Sequence, residues 1–376
     1  MSDLIQKLQD VKEKPKKVVK EKPMKKKNCK QHFLLSKSAK TITQQDLYEM
    51  SDDTAKDLFM ELQWGKKGHQ CCPHCATLDK HYYVSTRDKY KCRHCGKQFS
   101  LTSNTIFAYH KLSLKKLIQI TLRFLVPVKG TSAITVSREF DVQHKTVLVI
   151  FHKLREAMKV SCLVDFEKEK NTDAPVHIDG TYVHTNNRKA NKKEDRKDAR
   201  LAENANPDKR CVFVMVKERT EEEKASNPHL KGSKVVLPFI IKSETSNVVK
   251  KLVAEYIKKD SVIHADESNA YDDLIMYYDL KRVNHSKEYC SDEGITNNHA
   301  ESFFSRFKRG FRGQYHRMTN KYLDLYSFEF AFRENKRRLG GLEQLTEVLQ
   351  YGLQLTRSAM RGYWQGLSTK QAVTHG

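Results

Sequence analysis

The chain has 376 residues, 38% of them hydrophobic, enough for two or three compact units rather than one core. Its formal net charge of +23 calls for a polyanionic partner, and the basic residues are spread along the chain rather than gathered on one lipid-facing helix. Nucleic acid therefore ranks first, because a multivalent cation gains affinity by releasing counterions from phosphates. No stretch is long and apolar enough to span a bilayer, and the Lys-rich start lacks the apolar core of a signal peptide. The expectation is a cytoplasmic, nucleoid-associated protein with no membrane partner.

Residues 1–43 open the chain. The first forty carry 13 Lys against four acids, with Pro15 and Pro23, and read as a disordered basic arm. Residues 44–110 read as a zinc ribbon with preceding helices. Leu47, Leu58, Phe59 and Leu62 are the apolar set of one or two short helices over 44–62. Cys72-Pro73-His74-Cys75 and Cys92-Arg93-His94-Cys95 follow, sixteen residues apart. Two Cys-x-x-Cys turns complete a closed tetrahedron for Zn²⁺, which is structural because no position remains for water. Cys71 is an adjacent spare thiol that can compete with Cys72, and His74 and His94, inside the turns, are expected to point outward, with substitution as ligands the alternative. His81–Val84 and Tyr90–Lys91 read as a hairpin between the two turns.

Residues 111–165 read as wholly helical. Leu112 to Leu125 mark a first helix, stopped near Pro127 and Gly130. Thr131–Phe140, a turn at Asp141-Val142-Gln143, and His144–Met158 form a helix-turn-helix pattern. Ser132 is the expected N-cap, and Ile134, Val136 and Phe140 the apolar face of its first helix. Val147, Ile150, Phe151 and Leu154 point inward from the second. Gln143, His144, Lys145 and Thr146 stand where a recognition helix meets the major groove of double-stranded DNA. The bland alternative is a helical linker or dimerisation bundle.

Residues 170–340 change texture. Val176–Thr185, Arg210–Lys217, Lys234–Lys242 and Val262–Ala265 read as strands, with a further short strand over Arg282–His285. Asn247–Lys259, Ala270–Met276, Asn298–Arg309 and Leu323–Arg337 read as helices, and 186–209 as a long polar loop. The order β-β-β-α-β-α-(β)-α predicts an α/β domain with a mixed sheet and flanking helices, the order of the RNase H-like fold. Residues 341–376 read as a C-terminal helix and tail.

Three acids carry the chemical expectation. Asp179 lies within an apolar strand, where a lone carboxylate is expensive unless paired or metal-bound. Asp266 ends another strand. Glu301 lies on a helix, with Lys308 two turns along the same face. Two strand acids and a helix acid can converge on a pair of Mg²⁺ (or Mn²⁺) ions, hard cations that prefer carboxylate oxygen. Lys308, Arg309, Arg312, His316 and Arg317 alternate with Phe307, Phe311 and Tyr315. This strip can grip phosphates while its aromatics stack on bases; a solvated helix face with a core-facing Phe set is the plainer reading, and the two are compatible. His264 and His285 flank the presumed site; either can be an ordinary structural histidine.

The segments HIDGTYV, IHADESNAYDDL and TNNHAESFFSRFKRGFRGQYHRM, preceded by CPHC…CRHCGKQFSLTSNTIF, resemble bacterial insertion-sequence transposases that have an N-terminal zinc ribbon and a DDE domain of the ISXO2-like type. The resemblance covers roughly residues 45–340. It implies an RNase H-like core, dependence on Mg²⁺, and cutting and rejoining of DNA at inverted-repeat ends. It places Asp179, Asp266 and Glu301 as the catalytic acids and Lys308 as a basic partner; 34 residues separate the second acid from the third. Some members use an Asn three residues before this Glu, here Asn298, so the third ligand is Glu301 with Asn298 as the alternative. Such a reaction holds two transposon ends and a target together, which implies a homodimer or larger synaptic complex. Two rivals stay open: a nuclease with the same core but no strand transfer, and a zinc-ribbon DNA-binding regulator whose acids are inactive.

Overall fold

In the computed structural model the described residues are 32–65, 69–78, 81–183, 192, 194, 209–226, 232–283, 296–316 and 318–363. They divide into two compact units. The first comprises Met1–Pro127, Val136–Ala157 and Arg338–Arg361, and the second Val128–Thr135, Met158–Arg337 and Gly362–Gly376.

The first unit begins with α1 (Gln44–Glu49) and α2 (Asp52–Trp64). Each starts where a hydroxyl satisfies a free helix N–H: Thr43 in a capping box with Asp46, and Ser51 accepting from Thr54 N–H. Three short antiparallel strands follow, β1 (Tyr82–Val84), β2 (Lys89–Lys91) and β3 (Gln98–Phe99), in the order β1-β2-β3. The third strand was not anticipated. Trp64, Tyr90 and Phe99 pack in edge and stacked contacts against Cys72 and Cys92, which is nearly all the core this small sheet has.

Helix α3 (Leu114–Leu125) is capped by Ser113 and ends just before Pro127. Helix α4 (Ala133–Phe140) starts from Ser132, whose hydroxyl accepts from Thr135 N–H at 3.1 Å. Asp141 takes a left-handed φ of 50° at the turn, and α5 (His144–Lys168) begins three residues later. Val147, Ile150, Phe151 and Leu154 are buried as expected. Ile134 is not: it is 60% exposed, because the buried face of α4 runs through Ala133 and Val136, one helical turn apart. The C-terminal helix α10 (Gly341–Gln354) belongs to this first unit, where Gly352 lies so close to Phe107 that a side chain there would clash.

The second unit is built on a five-stranded sheet in the order β6-β5-β4-β7-β8. Strand β4 (Val176–Val183) pairs antiparallel with β5 (Arg210–Lys217), and β5 antiparallel with β6 (Val235–Ile241). On its other side β4 runs parallel to β7 (Val262–Ala265), which is parallel to β8 (Asp279–Arg282). Strand β8 thus precedes the segment expected to form it, and residues 284–295 lie outside the described set. A helix not anticipated, α6 (Glu221–Ser226), follows β5, while α7 (Ser246–Tyr256) joins β6 to β7. The segment Asn269–Met276 is a 3₁₀ helix rather than an α-helix. Strands β5 and β6 are buried on both faces, which explains their unbroken apolar runs. This mixed sheet with flanking helices is the RNase H-like architecture.

Helices α8 (Asn298–Gly310) and α9 (Leu323–Asn335) lie against this sheet: α8 packs on β4 and β5, and α9 on β6. Phe307 stacks with Phe303 and meets the edge of Phe330. At Gly310 the two helices pack closely: a Cβ there would strike the Phe330 ring, which is buried. Gly310→Ala is therefore expected to destabilise the protein by about 1–3 kcal/mol, the usual cost of overpacking. Denaturant unfolding measures it, and an unchanged midpoint would show that Phe330 moves aside freely.

Candidate functional site

In the ribbon, Cys72, Cys75, Cys92 and Cys95 bring their sulfurs within 4.8 Å of one another. Cys72 and Cys95 are 3.7 Å apart, and Cys75 and Cys92 3.5 Å. A tetrahedral ion with bonds of about 2.3 Å to sulfur needs thiolates about 3.8 Å apart, so the cage already has the size of a zinc site. The two turns repeat one another. Ala76 N–H donates to Cys72 O and Gly96 N–H to Cys92 O, and both residues adopt left-handed φ, 56° and 70°. Burial pushes the Cys72 thiol up to about 12, against N–H groups of His74 and Cys75 that favour the thiolate. That is a cost which a bound dication would cancel. Cys71 stays outside the cluster, and His74 and His94 are exposed.

In the second unit one acid, Asp179, lies midway along β4, and a second, Asp266, directly follows the end of neighbouring β7. The β4–β7 pairing sets His177 opposite His264, and the same register carried two residues further sets Asp179 level with Asp266. Strand β4 is buried up to Ile178 and opens at Asp179 and Gly180. Burial raises the Asp179 carboxyl to about 7, and the charges of Asp266, Glu244 and Glu301 add to that, while the Gly180 N–H, 2.7 Å from its Oδ1, works against it. Asp266 accepts from Ser268 N–H at 3.0 Å, so it also caps the turn that follows β7.

Glu244 was missed in the sequence. It lies three residues past the end of β6, where it reads as one more polar loop residue. Its carboxylate occupies the space that a side chain on Gly180 would fill, 2.6–2.7 Å from the Cβ position. It accepts from the Tyr271 hydroxyl, and its N–H donates to Tyr182 Oη at 3.1 Å. Burial and then the Asp266 charge raise its carboxyl, against the Tyr271 bond. The only signals available were an acid just beyond an apolar strand and a glycine beside Asp179.

Helix α8 is fixed to β4 by Asn297, a fully buried residue that donates to Ile178 O at 3.4 Å. That contact brings the first turn of α8 beside Asp179. Asn298 and Glu301 are exposed on that turn, and Glu301 is close enough to Asp179 to act on its charge. Lys308 is exposed two turns on, 5.9 Å above the Phe304 ring. Arg309 and Arg312 are exposed, and Arg317 and His285 lie outside the described residues. Phe307 is fully buried, so it packs the core and is closed to stacking on a base. Gln143, His144, Lys145 and Thr146 are all exposed at the start of α5.

The comparisons agree with this layout. Residues 172–335 match the family model of the ISXO2-like transposase domain, and residues 50–98 that of the transposase zinc-ribbon domain. Together they take in more than half of the chain. No curated protein and no solved structure matches it. With an ISXO2-like transposase domain set behind a transposase zinc ribbon, the chain belongs to the insertion-sequence DDE transposases that have an N-terminal zinc ribbon.

Proposed function

We propose that the chain binds the terminal inverted repeats of an insertion sequence and catalyses metal-dependent DNA cleavage and strand transfer, with Asp179, Asp266 and Glu301 holding Mg²⁺ or Mn²⁺. The observation that carries this reading is the convergence of acids: Asp266 after β7, Glu244 after β6 and Glu301 on α8 all come near enough to the partly buried Asp179 to act on its charge. Hard oxygen donors in such a pocket suit a hard dication. When bound, it supplies Lewis-acid stabilisation of charge on the phosphate oxygens. Asp179 and Asp266 orient it from two adjacent strands. Glu301 approaches from α8, and Asn298, also on the first turn of α8, is the alternative third ligand.

The remaining residues bind and position DNA. Gln143, His144, Lys145 and Thr146 meet the major groove of the transposon end, and the ribbon adds a second, zinc-held contact. Lys308, Arg309, Arg312 and Arg317 grip phosphates near the acids. A homodimer or larger synaptic complex holds both ends, and the protein works on the nucleoid in the cytoplasm.

A strand-transfer assay on paired end sequences tests the proposal. Joined product supports it, whereas cleavage without joining makes the chain a nuclease. In the same assay Glu301→Gln is expected to lower joining at least about 100-fold and Asn298→Ala less than about 10-fold, as befits a charged ligand against a neutral neighbour. The reverse ranking would make Asn298 the third ligand.

A further inference from the structure

A second cluster lies on the same sheet face as the acids, one step back along each element. His177 stands two residues before Asp179, His264 two before Asp266, and His299 two before Glu301. Glu218, just past the end of β5, joins them. His177 Nε2 is 2.5 Å from Glu218 Oε1, and His299 Nε2 is 3.6 Å from the same oxygen. The three donor atoms lie within 4.8 Å of one another. The His177 ring is fully buried and meets those of His264 and His299 edge-on, each at 4.8 Å.

We propose that His177, Glu218 and His299 form a second metal site, separate from both the ribbon and the carboxylate pocket, for a borderline divalent cation of the zinc class. Two imidazole nitrogens and one carboxylate oxygen are the donor set of Zn²⁺, Co²⁺, Ni²⁺ or Fe²⁺, not of Mg²⁺. One donor atom from each of the three residues lies within 4.8 Å of the other two, near enough for a single ion to reach all three once it displaces the His177–Glu218 hydrogen bond. The Nδ1 atoms of His177 and His264 are buried with no hydrogen-bond partner, so hydrogen bonding within the cluster leaves both imidazoles only partly satisfied. Lys224, 3.0 Å from Glu218 Oε2, takes the carboxylate's other oxygen and leaves Oε1 to the histidines. The His299 side chain is 24% exposed and gives an ion its way in. His264 is the nearest further imidazole for a fourth position. An ion there ties the first turn of α8 to β4 and to the end of β5, and so sets where Glu301 meets Asp179. The rival is a plain hydrogen-bonded clamp.

Metal content of the full-length protein, loaded with Zn²⁺ or Co²⁺ and desalted, decides between them. Wild type is expected to hold two equivalents. The double variant Cys72→Ser/Cys75→Ser is expected to retain one, as are His299→Ala and Glu218→Gln, which lose the second site and keep the ribbon's. Asp179→Asn/Asp266→Asn is expected to keep both. With Co²⁺, the ribbon gives an intense thiolate charge-transfer band, and the second ion only weak d–d absorption that His299→Ala removes. Because the count of two equivalents is read on wild type, a variant that misfolds leaves the test intact. One equivalent in wild type, lost with the cysteines, overturns the site in favour of the clamp. So does a second equivalent lost with the aspartates, which would place it in the carboxylate pocket.

Discussion

Asp179→Asn is expected to abolish DNA cleavage and joining, by at least about 1,000-fold, while making the metal-free protein more stable. Both effects come from one environment. Burial, then Asp266, Glu244 and Glu301, hold the Asp179 carboxyl at about 7, against an ordinary value of 3.8. A group whose folded-state value is raised favours folding while protonated. That contribution is fully present below about pH 4 and is lost as pH rises through about 7. The displacement corresponds to up to about 4 kcal/mol. Asn cannot ionise and escapes the loss. The melting temperatures of wild type and variant, both in chelator, should coincide near pH 4 and diverge by roughly 5–10 °C by pH 8. Adding Mg²⁺ should raise the wild type and leave the variant unmoved. A difference that stays flat from pH 4 to pH 8, or a variant that still joins DNA ends, would remove Asp179 from the centre of the site.

The second large effect is expected at the ribbon. Cys92→Ser should cost one equivalent of zinc, unfold residues around the three-stranded sheet and weaken DNA binding about 10- to 100-fold. Its strands are only two or three residues long, and its core is a few aromatic rings around two cysteines. Folding there rests on metal binding worth on the order of 10 kcal/mol. Atomic emission reads the zinc, near-ultraviolet circular dichroism the packing of Trp64 on Tyr90, and band shift the DNA affinity. Asp179→Asn should bind DNA like wild type, which separates holding DNA from cutting it. A Cys92→Ser chain that kept its full zinc and DNA affinity would show that the ribbon is held by something else.

Much of this was legible in the sequence because it is local. The spacing of Cys72, Cys75, Cys92 and Cys95 fixes two turns whatever surrounds them, and the cage they form has the size of a zinc site. The apolar runs of β5 and β6, the cap at Ser132 and the inward face of α5 follow from periodicity and short-range hydrogen bonds. Where the sequence misled or left a choice, packing decided. Ile134 is exposed because Ala133 and Val136 take the buried face of α4, and of the two readings of Phe307 the core-facing one holds, because Phe303 and Phe330 pack on it.

Asp179, Asp266 and Glu301 could each be picked out along the chain, but their meeting could not. It depends on β4 lying parallel to β7, and on buried Asn297 fixing the start of α8 to the backbone of Ile178. Glu244 enters the pocket only because Gly180 leaves room for its carboxylate across two strands. Glu218 meets His177 and His299 for the same kind of reason. The sequence by itself determined the cysteine cage, most of the order of strands and helices apart from β3 and α6, and the kinds of residue available for chemistry. Which carboxylates and imidazoles share a pocket was decided by tertiary structure, since pairing register and helix docking join residues that no local rule connects.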